Sequence, residues 1–444
     1  MKAAFHTLGC KTNHYETDAI AQRFAQAGFE RVAFDDEADV YIINTCTVTG
    51  EADRKSRQML RRAKRQAPHA VVVAMGCHAQ VSNAKEYADI VIGTQGKARV
   101  LELVQDYLGL SSQDQTVQLP ERAGVAGDIL QEELFEELGI VDRQSECRAH
   151  IKIEDGCNSF CSYCAIPLAR GRIRSREERA ILAEARALAK AGYREIVLTG
   201  IHVCSYGLDR GEGSHAVVAL ADQLAQIPGI ERIRLGSLEP LSITPAFIEL
   251  ARTNPKLCPH FHLSLQSGSD TVLKRMNRRY TTREFRNVAQ ALRAAFPDAG
   301  LTTDVIVGFP GETEAEFAES LQFCKEIGFA RMHVFRYSPR QGTQAASLPG
   351  QVSAPVSARR SKAMQDLAER MAAAFHLSLM GREQSILVES LTQQGVAEGY
   401  TAAYVPVRIE PATGLEPGQI VTAQPVRADG HFLYCTDANP VGSC

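Results

Sequence analysis

Apolar runs and helical patterns alternate from the start of the chain, as KAAFHTLG, ETDAIAQRFAQAGF, DVYIINTC, EADRKSRQMLRRAKRQ, AVVVAMGC and DIVIG. That rhythm predicts a parallel sheet covered by helices, and we place this domain at 1–115. The following QTVQLPERAGVAGDILQEELFEELGIVDRQSE carries Pro, Gly and a dense acidic segment without a strand pattern, so 116–145 reads as an acidic linker. A longer alternation occupies 146–375, with strand-like AHIKIED, EIVLTGI, RIRLGS, HFHLSLQ, LTTDVIVGFP and RMHVFRYS separated by helical segments such as ERAILAEARALAKAG. About six βα units are visible, fewer than the eight of a closed barrel, which predicts an open or partial (β/α)6 barrel. Past the helix around MQDLAERMAAAFHLSLMG, the short strands SILVESL, AYVPVRIE, QIVTAQPV and HFLYC predict a small β-barrel over 381–444. The expected class is α/β, with a separate β module at the end.

A chain of 444 residues exceeds what one core usually organises, so two or three domains are expected. Lys plus Arg number 49 against 52 Asp plus Glu, so no whole-chain basic signature marks a nucleic-acid binder. The opening MKAAFHTLGCKTN lacks the apolar core of a secretory signal, and no run of about 18 apolar residues could span a bilayer, so a soluble cytoplasmic protein without membrane association is expected. Twelve cysteines in a reducing compartment point to metal binding or catalysis rather than to disulfides.

The sharpest motif is GCNSFCSYCAIP, which sets Cys157, Cys161 and Cys164 in a CxxxCxxC run directly after the first strand of the partial barrel, where barrel enzymes keep their active sites. Three thiolates suit zinc or an iron-sulfur cluster, each of which usually takes four ligands, and the fourth is missing nearby. Either a distant residue completes a structural zinc site, or one iron is left open for a substrate. Cys10, Cys46 and Cys77 lie in the turns GCKTN, NTCTVT and GCHAQ after successive strands. A lone cysteine is usually a small buried hydrophobe. Three at the carboxyl ends of neighbouring parallel strands, where ligands of such sheets gather, predict a second three-thiol metal site. His6, His69 and His78 lie close enough in sequence to be ligands, although packing and surface roles are the ordinary reading. Cys147, Cys204, Cys258, Cys324, Cys435 and Cys444 show no mutual spacing and are read as structural or incidental.

The CxxxCxxC run after a first barrel strand resembles the radical S-adenosylmethionine superfamily. The resemblance implies that the open cluster iron chelates S-adenosylmethionine and that reductive cleavage gives a 5′-deoxyadenosyl radical. Two three-cysteine sites followed by a β module resemble the methylthiotransferase family over essentially the whole chain. That implies a flavodoxin-like N-terminal domain with an auxiliary [4Fe-4S] cluster on Cys10, Cys46 and Cys77, a radical domain with a second on Cys157, Cys161 and Cys164, and a terminal TRAM domain. The words TLGCKTNHYET, INTCTVTGEADRKSRQ, LTGIHVCSYG, HLSLQSGSD, TTDVIVGFPGET and YSPRQGT, with Lys11, Thr12, Asn13 and Tyr15, resemble the branch acting on threonylcarbamoyladenosine at position 37 of tRNA. Branches acting on isopentenyladenosine or on a ribosomal-protein aspartate are the alternatives. The implied reaction takes two S-adenosylmethionine molecules, one giving a methyl group to sulfur and one the radical that activates carbon 2 of the adenine. The implied electron donor is a low-potential flavodoxin or ferredoxin. A zinc-containing RNA-binding protein is the rival of another class.

The same resemblance makes Thr199 and Gly200 in TGIHVC, Glu239 in GSLEP, Gln266 and Ser267 in LSLQSGSD, and Gly308, Pro310 and Gly311 in GFPGET candidate cofactor contacts, against ordinary turn or cap roles. RNA needs a cationic path. Three groups offer one: Arg54, Lys55, Arg57, Arg61, Arg62, Lys64 and Arg65; Arg170, Arg172, Arg174 and Arg176; and Lys274, Arg275, Arg278 and Arg279. The terminal module has three Arg and no Lys against seven Asp plus Glu, so its share of RNA binding would fall to shape or to stacking by Tyr400, Tyr404 and Phe432, for which core packing is the ordinary role.

Overall fold

The computed structural model describes residues 1–82, 84–110, 127–139, 141 and 146–440. The N-terminal part runs β1 (Lys2–Thr7), α1 (Lys11–Gln26), β2 (Glu30–Val32), β3 (Val40–Thr45), α2 (Gly50–Gln66), β4 (Val71–Gly76), α3 (Cys77–Val81), β5 (Ile90–Ile92) and α4 (Val100–Tyr107). All pairings are parallel, in the order β2-β1-β3-β4-β5, which is the flavodoxin-like order. VYIINT and VVVAMG are buried at every position, as strands covered on both faces must be. Ile20, Phe24 and Val104 pack one face, Leu60 and Ala63 the other. The edge strand β2 was not anticipated, because its three residues ERV are partly exposed and show no apolar run.

The central part contains β6 (Ala149–Lys152), β7 (Glu154–Asp155), α5 (Ile166–Arg170), β8 (Arg174–Ser175), α6 (Glu178–Lys190), β9 (Glu195–Thr199), α7 (Ala216–Ala225), β10 (Arg232–Leu235), β11 (Ser237–Leu238), α8 (Pro245–Thr253), β12 (His260–Leu263), α9 (Asp270–Arg275), α10 (Thr282–Ala295), β13 (Gly300–Val307), α11 (Glu314–Ile327), β14 (Arg331–Arg336) and α12 (Ala354–Ser378). Strands β6, β9 and β10 pair in parallel, as do β11 to β14, and the two runs meet at Gly236. A Cβ there would lie 2.7 Å from Val203 and 3.0 Å from the Leu198 carbonyl, so the kink needs glycine. All six predicted strands are present, and among the described residues β6 and β14 do not pair with each other, leaving the barrel open. Ile151, Ile196, Leu198, Ile233 and Leu235 share one core with Ile181, Leu188, Leu224 and Phe285 of the helices. The alternate positions His150, Lys152, Glu195, Arg234 and His260 are polar and buried.

The terminal part closes a barrel in the order β15 (Gln384–Leu391), β16 (Ala397–Thr401), β17 (Pro406–Ile409), β19 (Leu433–Pro440) and β18 (Ile420–Ala428). Strand β16, AEGYT, escaped the sequence reading because its buried positions are Ala397, Gly399 and Thr401, too small to print an apolar alternation. The barrel docks on the central α/β part through Ala402–Tyr404. Arg234 donates to the Ala402 carbonyl (2.9 Å), Arg232 to Ser385 Oγ (2.6 Å), and Arg148 pairs with Glu389 (2.6 Å). Tyr400 and Tyr404 stack at 4.8 Å with Arg148 over both rings, so their role is this interface. Part of the expected linker falls outside the described residues. The described stretch 127–139 is packed: Leu138 joins Tyr15 and Ala19 in a small core, Glu136 accepts the Ala98 N–H (2.9 Å) and Glu137 pairs with Arg176.

Candidate functional site

Cys10, Cys46 and Cys77 follow β1, β3 and β4, which are neighbours in the sheet, so one sheet edge gathers all three thiols. Gly9 has φ +105°, and a Cβ on it would lie 2.8 Å from Cys46 Sγ. Gly76 has φ +94°, and a Cβ there would lie 2.3 Å from Asn44 Oδ1. The glycine before Cys10 and before Cys77 is therefore what lets the turns close. Asn13 donates to the carbonyls of Leu8 (2.7 Å) and Thr45 (3.1 Å), and Ser56 Oγ bonds the backbone N (3.2 Å) and O (3.1 Å) of Cys46. Burial pushes the Cys46 thiol up to about 11 and raises Cys77 as well, so a metal bound here displaces protons.

Arg170, in α5 just after the second cysteine motif, reaches this first site. It is fully buried, donates through Nε to Cys77 Sγ (3.2 Å) and through Nη2 to Asn13 Oδ1 (2.7 Å), and through Nη1 to Glu16 and Asp155 (both 3.0 Å). Lys97 (2.6 Å) and Lys152 (2.8 Å) also pair with Glu16. Burial would raise the Glu16 carboxyl, yet Arg170, Lys152 and Lys97 hold it well below the usual range. Arg170, Lys97 and Lys152, with Arg174 3.9 Å from Asp155, outnumber the two carboxylates Glu16 and Asp155 and leave positive charge beside the thiols, which suits an anionic thiolate cluster. Among the described residues no three His, Cys, Asp or Glu side chains converge on a point that a single ion would fill. A cubane asks for a different arrangement, since each thiolate binds a separate iron.

Cys157, Cys161 and Cys164 lie in the loop between β7 and α5. Arg278 donates to Cys161 Sγ (3.3 Å) and to Glu239 Oε2 (2.7 Å), and His202 Nε2 stands 3.6 Å from the same carboxylate. Glu154 is buried against Gly200, where a Cβ would lie 2.1 Å from its Oε1, and that oxygen accepts the His202 N–H. Burial pushes the Glu154 carboxyl up to about 8. Its Oε2 and the His202 Nε2 are buried without a hydrogen bond, the mark of a place where a polar ligand completes the set. Sequence reasoning missed Glu154 because IKIED reads simply as a strand. It also missed Arg278 and Arg170 as partners of sulfur.

The structure brings Cys157, Cys161, Cys164, Gly200 and Glu239 to one mouth, with Thr199 buried at the end of β9. Gln266 (φ +65°) bonds β13 through its N–H to the Asp304 carbonyl (2.9 Å). Ser267 is buried and accepts the Ser269 N–H (3.3 Å) within its turn. The Gly308 N–H donates to Glu312 (2.7 Å), which Arg360 of α12 holds (2.8 Å); Pro310 is buried and the Gly311 N–H donates to the Gly350 carbonyl (2.8 Å). One expectation is overturned: Arg170, Arg174 and Arg176 offer no surface to RNA, being at most 1% exposed and engaged with Cys77, the Arg172 carbonyl and Glu184. Arg278 is likewise turned inward. His78 is bonded to Asp53 (3.0 Å) and His6 packs on Phe34, while His69 is exposed.

Residues 151–324 match the Radical SAM superfamily and residues 2–93 the family described as "Uncharacterized protein family UPF0004". The chain is 42% identical over 414 residues to the threonylcarbamoyladenosine tRNA methylthiotransferase MtaB of Bacillus subtilis, covering 91% of this chain and 89% of that one. It is 39% identical to the protein of that name from Aquifex aeolicus (87% and 93% covered). A tRNA-2-methylthio-N(6)-dimethylallyladenosine synthase of Acetivibrio thermocellus is 33% identical (87% and 80% covered). Among solved structures, the radical S-adenosylmethionine methyltransferase TsrM of Kitasatospora setae, with cobalamin and a [4Fe-4S] cluster bound, shares the fold at TM-score 0.58 and 14% identity, covering 78% of this chain and 77% of that one. No helix among the described residues is long and apolar enough to cross a membrane.

Proposed function

Because the chain belongs to the MtaB family of tRNA methylthiotransferases, we propose that it places a methylthio group on carbon 2 of N6-threonylcarbamoyladenosine at position 37 of tRNA, in the cytoplasm. The observation that carries the reading is two three-thiol sites, with the buried Arg170, which follows the second triad in the chain, donating to Cys77 of the first. Cys10, Cys46 and Cys77 would hold the auxiliary [4Fe-4S] cluster, and Cys157, Cys161 and Cys164 the cluster that receives S-adenosylmethionine. When bound, the clusters supply the electron for reductive cleavage of that cofactor and the anchorage for the sulfur to be transferred.

The chain's own residues orient and insulate. Arg278 donates to Cys161 and Glu239 at once, which fixes the carboxylate at the mouth of the barrel. Glu154, whose carboxyl burial pushes up to about 8, accepts the His202 N–H and so holds the Gly200 turn. Asn13 and Ser56 lock the turns that carry Cys10 and Cys46. A low-potential flavodoxin or ferredoxin would deliver electrons. The test is mass spectrometry of tRNA nucleosides from cells lacking the gene, in a host without a redundant enzyme. Loss of the methylthio-threonylcarbamoyl nucleoside with its unmodified precursor accumulating is expected. Its persistence, with loss of the methylthio-isopentenyl nucleoside or of the modified ribosomal aspartate, would refute the acceptor.

A further inference from the structure

Helix α2 carries seven cations and two carboxylates. Four of the cations are spoken for: Arg54 and Lys55 pair with Glu51, Arg62 with Asp35 and Lys64 with Asp89. Arg57, Arg61 and Arg65 remain, and among the described residues no carboxylate lies within ion-pair distance of them. They recur every fourth residue, so they form one ridge along the helix, roughly 6 Å apart and about 12 Å long in all. A groove of about 560 Å³ runs beside the ridge, lined also by Tyr87 and Glu86. Arg61 lies over the Tyr87 ring at 4.6 Å and donates to its hydroxyl (2.9 Å), which holds that guanidinium in place.

The ridge is anchored to the reaction centre. Arg57 follows Ser56, the residue that bonds the Cys46 backbone on both sides. The start of α2 is pinned to the radical domain by the Gly50 N–H donating to Ser338 Oγ (3.1 Å) and by Arg340 on Asp53. The terminal β module offers less: its Arg382 pairs with Asp298 (2.5 Å) and Arg408 with Glu398 (2.8 Å), which leaves Arg427, over Tyr434 at 3.4 Å, against the three arginines of the ridge.

We propose that the Arg57, Arg61 and Arg65 ridge of α2 is a phosphate-tracking surface that holds the tRNA backbone beside the auxiliary thiol site, and that it contributes an electrostatic share of tRNA affinity. This rests on tRNA being the substrate. Unpaired arginines held on a rigid helix beside an open groove match a polyanion with regularly spaced charges, and each phosphate neutralised releases counterions.

The test is tRNA binding by the full, anaerobically reconstituted chain, with the affinity measured across a salt series. In the R57Q/R61Q/R65Q variant the slope of log affinity against log salt should fall by about two, with affinity near physiological salt lower by roughly tenfold or more. R57Q and R61Q singly should each remove a part of that slope, and R382Q/R408Q should leave it unchanged. Iron per chain and circular dichroism equal to wild type confirm that the folded, loaded protein is being compared. An unchanged slope and affinity in the triple variant overturns the proposal, as does unchanged tRNA binding with slower reduction by flavodoxin, which would make the ridge a dock for an acidic protein. Failure of the wild-type chain to bind tRNA at all would instead remove the functional reading beneath it.

Discussion

At the scale of single residues, Arg170 shows how little a local pattern says about burial. Arginines at alternate positions of ARGRIRSR look like a solvated face, and their carboxylate partners, among them Glu16, lie up to 154 positions away. Arg170→Gln leaves Glu16 and Asp155 short of a cation inside the protein, which should cost about 3–5 kcal/mol in chemical denaturation. Arg170→Lys keeps the charge but loses the donor to Cys77, and should keep the fold while lowering the iron retained at the N-terminal site on reconstitution. Glu154 gives a pH signature. Its carboxyl titrates near 8 when folded against 4.5 for the free group, so the native state holds the extra proton and stability falls as pH rises between those values. The contribution is complete below about 4.5 and gone above about 8. Glu154→Gln should flatten the decline of melting temperature with pH across that window; an unchanged decline would assign it to other groups.

At the scale of elements, legibility followed burial. Strands covered on both faces, such as VYIINT and VVVAMG, print continuous apolar runs and were read directly, and so were the cysteines that end them. The edge strand β2 and the small-residue strand β16 print none. The docking of the terminal barrel was unreadable for another reason: it depends on the polar inner face of the radical domain, where Arg234 and Arg148 meet Ala402 and Tyr404. A single glycine tests that joint. A Cβ at Gly300 would sit 2.2 Å from the Ala403 carbonyl, a backbone atom that yields only if the loop moves. Gly300→Ala should destabilise the docked state by about 1–3 kcal/mol, seen as earlier proteolysis of the terminal barrel with the N-terminal sheet still protected. Equal protection of both parts would mean the loop gives way without undocking.

At the scale of the whole molecule, the question is why two sites with three thiols each are held by different domains and joined by charge rather than by a shared apolar core. The N-terminal sheet offers Cys77 and the radical domain offers Arg170, so the first site is finished only when the domains are docked. The second triad draws its neighbours, Arg278 and Glu239, from within the barrel. Loss of one triad should therefore leave the other loaded. Cys46→Ala should retain about half the iron, roughly four atoms per chain, and should still cleave S-adenosylmethionine reductively while methylthiolation disappears. Cys161→Ala should retain the other half and lose the cleavage. Because Arg57, Arg61 and Arg65 stand outside both triads, tRNA affinity and its salt slope should survive each change. A Cys46→Ala protein that methylthiolates tRNA at the full rate would remove the first triad from the chemistry, and one that loses all its iron would show that the two sites load as a single unit.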